Sequence, residues 1–448
     1  MVKKLEERGR NMKLEIGNFQ VKDVVFGQRT MFRDGILTIN EEEAIQTLNP
    51  EGKLKNVKLC IARPGESVRI LPIKEIVEAR IRPDGRAVFP GETGPTKEAG
   101  NGQVYALKGM AVMAVGKYGG WEEGILDMTG PGAKLSHYSK LINVCFTAED
   151  TDPDVDQGQH QNLNFRKGAK LLGEYLGKTV INQEPEEWEV YDLDEWAKDE
   201  KGLPRVMLVM QLNSFYETPG FDDTFYGVDV MFLVPPLIHP NEVLDGALCS
   251  GSICISGYRA FTYDYQNHPL IKRLYAEHGK TLNFVGVIFS MIGQTLERKE
   301  RGIIRVAETA AMMQCDGVIF TEPGVSNADI DLFNGVIRLE EKGIKCVAVT
   351  DEDTGRNGRN DPSKVMLDGR VDAIVSTSNA AQILELPAME NIIGDLQSVV
   401  RDAYPGTWAK NPDFGPSLRE DGSIIIDSSC YVGNGSVVGW SHKTCKDF

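Results

Sequence analysis

The sequence predicts an α/β protein with a β-rich N-terminal half and a C-terminal parallel-sheet α/β domain. Three observations carry this reading. Up to about residue 150, alternating or β-branched apolar residues recur between Gly, Asn and Pro. From Leu203 onward, apolar runs end in polar residues: PRVMLVMQL, DVMFLVPPLI, NFVGVIFSMI, DGVIFTE, IKCVAVTDE and VDAIVSTSN. Strands covered by helices on both faces look like this. Between the runs lie helical patterns. In TLERKERGIIRVAETAAMMQ the residues Ile303, Val306, Ala307, Ala310 and Met313 form one apolar stripe. NADIDLFNGVIRLEEKG repeats it with Ile330, Phe333 and Ile337, and Gly343 closes it as a C′ glycine. Strand–helix alternation implies a parallel sheet with right-handed crossovers.

Taken in order, residues 1–11 read as a solvated extension with no apolar segment of a secretory signal. Residues 12–150 form the β-rich N-terminal domain: KLEIGNFQVKDVVFG, GILTIN, VKLCIA, SVRILP and QVYALKGMAVMAVG are strand-like, and EEEAIQTL is a short helix capped by Asn40. The Gly/Pro cluster in WEEGILDMTGPGA marks a turn-rich loop. Residues 151–202 are an acidic helical connection, with a helix near 161–177 between EDTDPDVDQG and EPEEWEVYDLDEWAKDEK. The first stretch fails as a calcium loop because its glycine falls one place late and no glutamate stands at the twelfth position. The second reads as an exposed connection. Residues 203–448 form the α/β domain and contain a Ser/Gly/Cys-rich loop at 245–257.

Composition excludes several classes. The chain has 448 residues and a net charge of −16, so no domain-wide basic surface exists to replace phosphate counterions, and nucleic acid is not an expected partner. The longest apolar stretch, Phe284–Gly293, is about half of the ~20 residues a membrane span needs. Eight cysteines without a C-x-x-C pair read as reduced thiols in a cytoplasmic protein. The six histidines lack metal-ligand spacing, and phosphate-loop, dinucleotide, zinc-protease and serine-elbow motifs are absent.

Ligands of open parallel sheets bind beyond the carboxyl ends of the strands. Those ends form a polar rim that includes Thr350, Asp351, Ser376 and Asn379, and the loop DEDTGRNGRND adds Arg356 as a clamp for a carboxylate or phosphate. A second candidate is NEVLDGALCSGSICISGY, which packs Cys249, Ser250, Ser252, Cys254 and Ser256 beside Gly246 and Gly251. Small nucleophiles next to glycine suit an autocatalytic backbone event. A hydroxyl or thiol attacks its own preceding carbonyl, and elimination and hydrolysis leave a pyruvoyl group on a new N-terminus. Composition alone does not justify this reading, because a Ser/Gly/Cys loop is far more often an ordinary turn.

That segment, together with ARPGESVRILPIKEIVEARI, EGILDMTGPGA, YGVDV, LYAEHGKTLNFVGVI, DGVIFTEPG, VTDEDTGRNG and LREDGSIII, resembles the component B precursor of glycine/sarcosine/betaine reductase from about Met12 to the C-terminus. The resemblance implies an oligomeric cytoplasmic reductase complex of anaerobic amino-acid fermentation. Its precursor splits itself into two subunits, and a cysteine becomes the pyruvoyl group. Component B binds a small amine, and a partner selenoprotein B-type subunit uses its selenocysteine to cleave the C–N bond reductively. The resulting carboxymethyl-selenoether passes to selenoprotein A, and component C yields acetyl phosphate.

The sequence departs from the family at the cleavage point, where an Asn-Cys pair follows Ser-Gly. Here Ser250-Gly251 is followed by Ser252-Ile253-Cys254, which places Ile253 at the cysteine in an ungapped alignment. Three readings stay open: Cys254 as the pyruvoyl precursor, Ser252 as the precursor with cleavage after Gly251, or no processing. Cys249 stands beside them as a further candidate catalytic thiol. An unprocessed paralogue would bind a small molecule or scaffold the complex, whereas an independent pyruvoyl decarboxylase would require the cut.

Overall fold

A computed structural model describes residues 12–117, 123–151, 162–193, 202–214, 222–251, 256–323, 327–352, 369–379, 383–401 and 416–433. Its architecture is α/β, with two larger N-terminal sheets and a small three-stranded one (Asp23–Phe26, Ile36–Ile39, Met31–Arg33), followed by a parallel sheet flanked by helices.

The first sheet begins with Lys13–Gln20, whose alternation buries Leu14 and Ile16. It pairs in parallel with Gly102–Lys108 and antiparallel with Glu187–Asp192. The acidic stretch expected as an exposed connection therefore supplies an edge strand. Only Tyr191 of that strand is buried, and its exposed acids and Trp188 hid the alternation. The second sheet runs Gly124–Asp127, Val68–Val77, Met110–Val115, Ile142–Asp150, Leu54–Ala62. Every residue of Val68–Val77 is buried, including Arg69, Lys74 and Glu75. The helix Leu163–Gly177 covers this sheet with Phe165, Ala169, Leu172 and Leu176. Asn40 caps the helix Glu41–Leu48 by accepting the Glu43 amide at 3.0 Å.

The chain returns to the second sheet near its end. Asn391–Gly394 pairs in parallel with Val68–Leu71, and the Tyr431 hydroxyl accepts the Asp127 amide at 2.7 Å.

The third sheet has the order Leu237–Ile238, Asn283–Met291, Arg205–Leu212, Gly317–Thr321, Lys345–Glu352, Ile374–Asn379. All pairs are parallel except the first. The helices Leu296–Met312 and Asn327–Glu340 pack on it through Val306, Ala307, Ala310, Leu332, Phe333 and Val336. DVMFLVPPLI, expected as a strand of this sheet, is instead a 3₁₀ turn at Val230–Phe232 followed by the two-residue antiparallel edge strand. Its two prolines cannot donate to a ladder, and Phe232 and Val234 face solvent.

From the central strand Arg205–Leu212 the chain proceeds to one neighbour and from Gly317–Thr321 to the opposite side. Their carboxyl ends are thus the topological switch point, where such sheets open a crevice. Among the described residues no helix is long and apolar enough to cross a membrane.

Candidate functional site

Leu212 ends the central strand, and the next residues connect it to the Ser/Gly/Cys-rich loop. Asp223 does this with one buried carboxylate. Its Oδ2 accepts the Asn213 amide at 3.1 Å and the Tyr265 hydroxyl at 2.8 Å, while Oδ1 accepts the Gly251 amide at 2.7 Å. Burial pushes Asp223 up to about 6, against the hydrogen bonds that favour its charged form. The loop is thereby fastened at the switch point.

Further buried side chains hold the same peptides. Arg259 donates to the Gly251 carbonyl at 2.7 Å and to the Lys74 carbonyl at 3.0 Å. Arg166, from the helix Leu163–Gly177, donates to the Ser250 carbonyl at 2.9 Å. The Ser250 amide donates to the Thr262 hydroxyl at 3.0 Å, which in turn donates to Glu75 at 3.0 Å. The Ser250 hydroxyl lies 2.7 Å from the Ala260 carbonyl and 2.9 Å from that of Gly251, with one hydrogen for the two. At the far end of the loop, Gly257 donates to the Ser429 carbonyl at 2.6 Å.

Charge balance explains how so many ionic groups stay inside. Lys170 pairs with Glu92 at 3.0 Å, and Lys74 pairs with Glu123 at 2.8 Å. Burial works against the Lys170 cation, but Cys249, Glu92 and Glu75 around it raise its affinity for the proton. Glu92, despite burial, is held down at about 2 by Lys170 and the Thr224 hydroxyl. Burial raises Glu75 and weakens the hold of Arg166 on its proton. Desolvating ions costs several kcal/mol each, so an enclosed cluster of this kind is a functional-site signature more than a stabilising device.

The predicted site residues fall into three groups. Cys249 lies in the two-residue strand Leu248–Cys249, fully buried; burial pushes its thiol up to about 12, so it is neutral at neutral pH. Ser252, Cys254 and Arg356 lie outside the described residues. Thr350 and Asp351 are buried at the end of Lys345–Glu352. Ser376 is half-buried, and Asn379 pairs with Glu352 in register. These four share the sheet end that carries Asn213. Their strands lie two and three places from the central one, about 10–14 Å away at ~4.8 Å per strand.

Asp223, Arg259, Arg166, Lys170 and Glu75 were not singled out from the sequence. One signal was present. Arg166, Lys170 and Glu174 recur every fourth residue directly beside the apolar stripe of Leu163–Gly177, and all three are buried.

Comparisons with known proteins identify the family. A family model described as glycine/sarcosine/betaine reductase component B subunits matches residues 12–446. The betaine reductase complex component B subunit alpha of Peptoclostridium acidaminophilum is 43% identical over 444 residues, 98% of this chain and 100% of the relative. The glycine reductase complex component B subunits alpha and beta of Acetoanaerobium sticklandii are 39% identical, over 98% of this chain and 100% of the relative. The sarcosine reductase complex component B subunit alpha of Peptoclostridium acidaminophilum is 36% identical, over 95% of this chain and 98% of the relative. No solved structure matches the chain. These relatives are subunits of reductase complexes, which makes the chain an oxidoreductase-complex component. It belongs to the glycine/sarcosine/betaine reductase component B family.

Proposed function

We propose that this chain is an uncut component B subunit that binds a small zwitterionic amine, of the betaine type, for reductive C–N cleavage by a selenol on a partner chain. One observation carries the reading: buried cations and buried carboxylates converge on one loop at the sheet's switch point. Arg166 and Arg259 suit the carboxylate of an amino-acid derivative, and Asp223 with its neighbours Asp222 and Asp229 suits the ammonium end. Enclosure excludes water and strengthens each of these interactions.

The uncut reading is supported by Ile253, which offers no nucleophile where the family carries cysteine. It is in keeping with the betaine and sarcosine relatives, each named as a single alpha subunit. A quaternary ammonium cannot form a Schiff base, so a substrate of this kind has no use for a ketone on the protein. The partners would be a selenoprotein B-type subunit, selenoprotein A and component C in the cytoplasm.

A second reading is favoured by the Arg259–Gly251 bond. Cleavage after Gly251 would require attack on that carbonyl by the Ser252 hydroxyl, and a guanidinium donor already stands there to receive the developing charge. A pyruvoyl group formed at Ser252 would supply a ketone electrophile, and Arg259 and Asp223 would then hold the new chain end.

Calorimetric titration of the purified chain with betaine, sarcosine and glycine tests the binding claim. Saturable binding of betaine that is lost in Arg259→Ala, with wild-type-like circular dichroism retained, supports it. Equal failure of all three ligands with the wild-type chain overturns it.

A further inference from the structure

Cys60 and Cys145 stand directly opposite each other where Leu54–Ala62 pairs antiparallel with Ile142–Asp150. Directly opposed residues share one face of a sheet and have Cα atoms about 4.5–5.5 Å apart. Cystines span about 4.4–6.8 Å between Cα atoms, so this register already meets the geometry of a bridge. The flanking pairs Ile61–Val144 and Leu59–Phe146 hold the register on both sides.

Both thiols are free, and they differ in access. Cys145 is fully buried, with its Sγ 3.8 Å from the Asn143 carbonyl oxygen. Cys60 is half-buried on the outermost strand of the sheet. An oxidant from solvent therefore meets Cys60 first, and Cys145 is then placed to resolve the product. Among the described residues no other two cysteines are register partners.

We propose that Cys60 and Cys145 form a redox modification site, a reversible cross-strand cystine made by exchange with a low-molecular-weight disulfide. The Cys60 thiolate attacks one sulfur of the oxidant, the S–S bond breaks, and one small thiolate leaves and takes up a proton. The Cys145 thiolate then attacks the Cys60 sulfur, closing the bridge and expelling the second small thiol. Two protein thiols are oxidised to one cystine and one small disulfide is reduced to two thiols. Burial raises both cysteine thiols, so the exchange speeds up as pH rises. The bridge pins an edge strand that is separated from Val68–Val77, which carries Glu75, by two intervening strands.

The test uses the full chain treated with oxidised glutathione at mildly alkaline pH, followed by denaturing alkylation and peptide mapping. The expected result is a dithiothreitol-sensitive peptide pair linking Cys60 to Cys145, absent in Cys60→Ser. Cys145→Ser should instead accumulate glutathione on Cys60, which fixes the order of steps even if the bridged form is short-lived. Full alkylation of both cysteines in the treated wild-type chain would overturn the proposal. So would glutathione retained on Cys60 of the wild-type chain, or a bridge to any other cysteine.

Discussion

Asp223 accepts the Gly251 amide at 2.7 Å with one carboxylate oxygen while the other accepts the Asn213 amide. A single buried side chain thus ties the family's cleavage loop to the carboxyl end of the central parallel strand.

Burial of that carboxyl, which outweighs the hydrogen bonds favouring its charged form, predicts a pH dependence with a definite sign. The folded-state pKa of Asp223, about 6, lies above its ordinary 3.8. The folded chain therefore holds this proton more tightly than the unfolded one. The stabilisation is fully present below about pH 4 and is lost as pH rises through about 6. Its size is of the order of 2–3 kcal/mol for a shift of about two pH units. Asp223→Asn should flatten that part of the curve, measured as the difference between wild-type and variant urea midpoints from about pH 4 to pH 7. Parallel curves would contradict the assignment.

Arg259 donates to two carbonyls, those of Gly251 and Lys74, and sits 4.4 Å above the Phe261 ring. Removing it leaves Glu75 and Asp223 short of a nearby cation inside the protein. Arg259→Ala should cost about 3–5 kcal/mol, the range for breaking a buried charge cluster from one side. Arg259→Lys keeps the charge but loses the two-pronged geometry and should cost less. Denaturant unfolding of the two variants gives the ranking, and equal losses would argue against the carbonyl contacts.

Arg69 is fully buried, paired bidentately with Asp127 at 2.7 and 2.9 Å, and donates to the Pro387 carbonyl at 2.8 Å. It links the second sheet to the segment that returns from the far end of the chain. Arg69→Met should raise amide hydrogen exchange first across Ile383–Leu386 and Asn391–Gly394, before the parallel sheet responds. A uniform rise across the molecule would contradict this.

Gly394 has φ +106° at its pairing with Leu71, and a Cβ there would overlap the Leu71 carbonyl oxygen. Gly394→Ala should therefore lower the melting temperature by several degrees, through strain of about 1–3 kcal/mol plus the clash. Gly343, also at positive φ but with open space around it, should tolerate alanine at the smaller backbone cost alone.

The parallel sheet was legible because Asn283–Met291 is buried on both faces, and Gly317–Thr321, with Gly317 and Ile319 half-buried, still carries an uninterrupted apolar run. The helix stripe at Ile303, Val306, Ala307 and Ala310 was legible for the complementary reason, since one face is buried and the other solvated. Val230–Phe232 misled because an apolar run does not say whether its residues reach the core. The ionic cluster was hidden by distance. Arg259 meets the Lys74 carbonyl across 185 positions, and a charged residue in a sequence reads as surface until its partners are known.

Intact-mass spectrometry of the purified chain, with a denaturing gel, is the most direct measure of whether the subunit works uncut. An uncut subunit gives one species at the full 49.5 kDa. Two fragments adding up to that mass, one of them blocked at its N-terminus and reactive toward hydrazine, would contradict it and install the Ser252 or Cys254 reading instead.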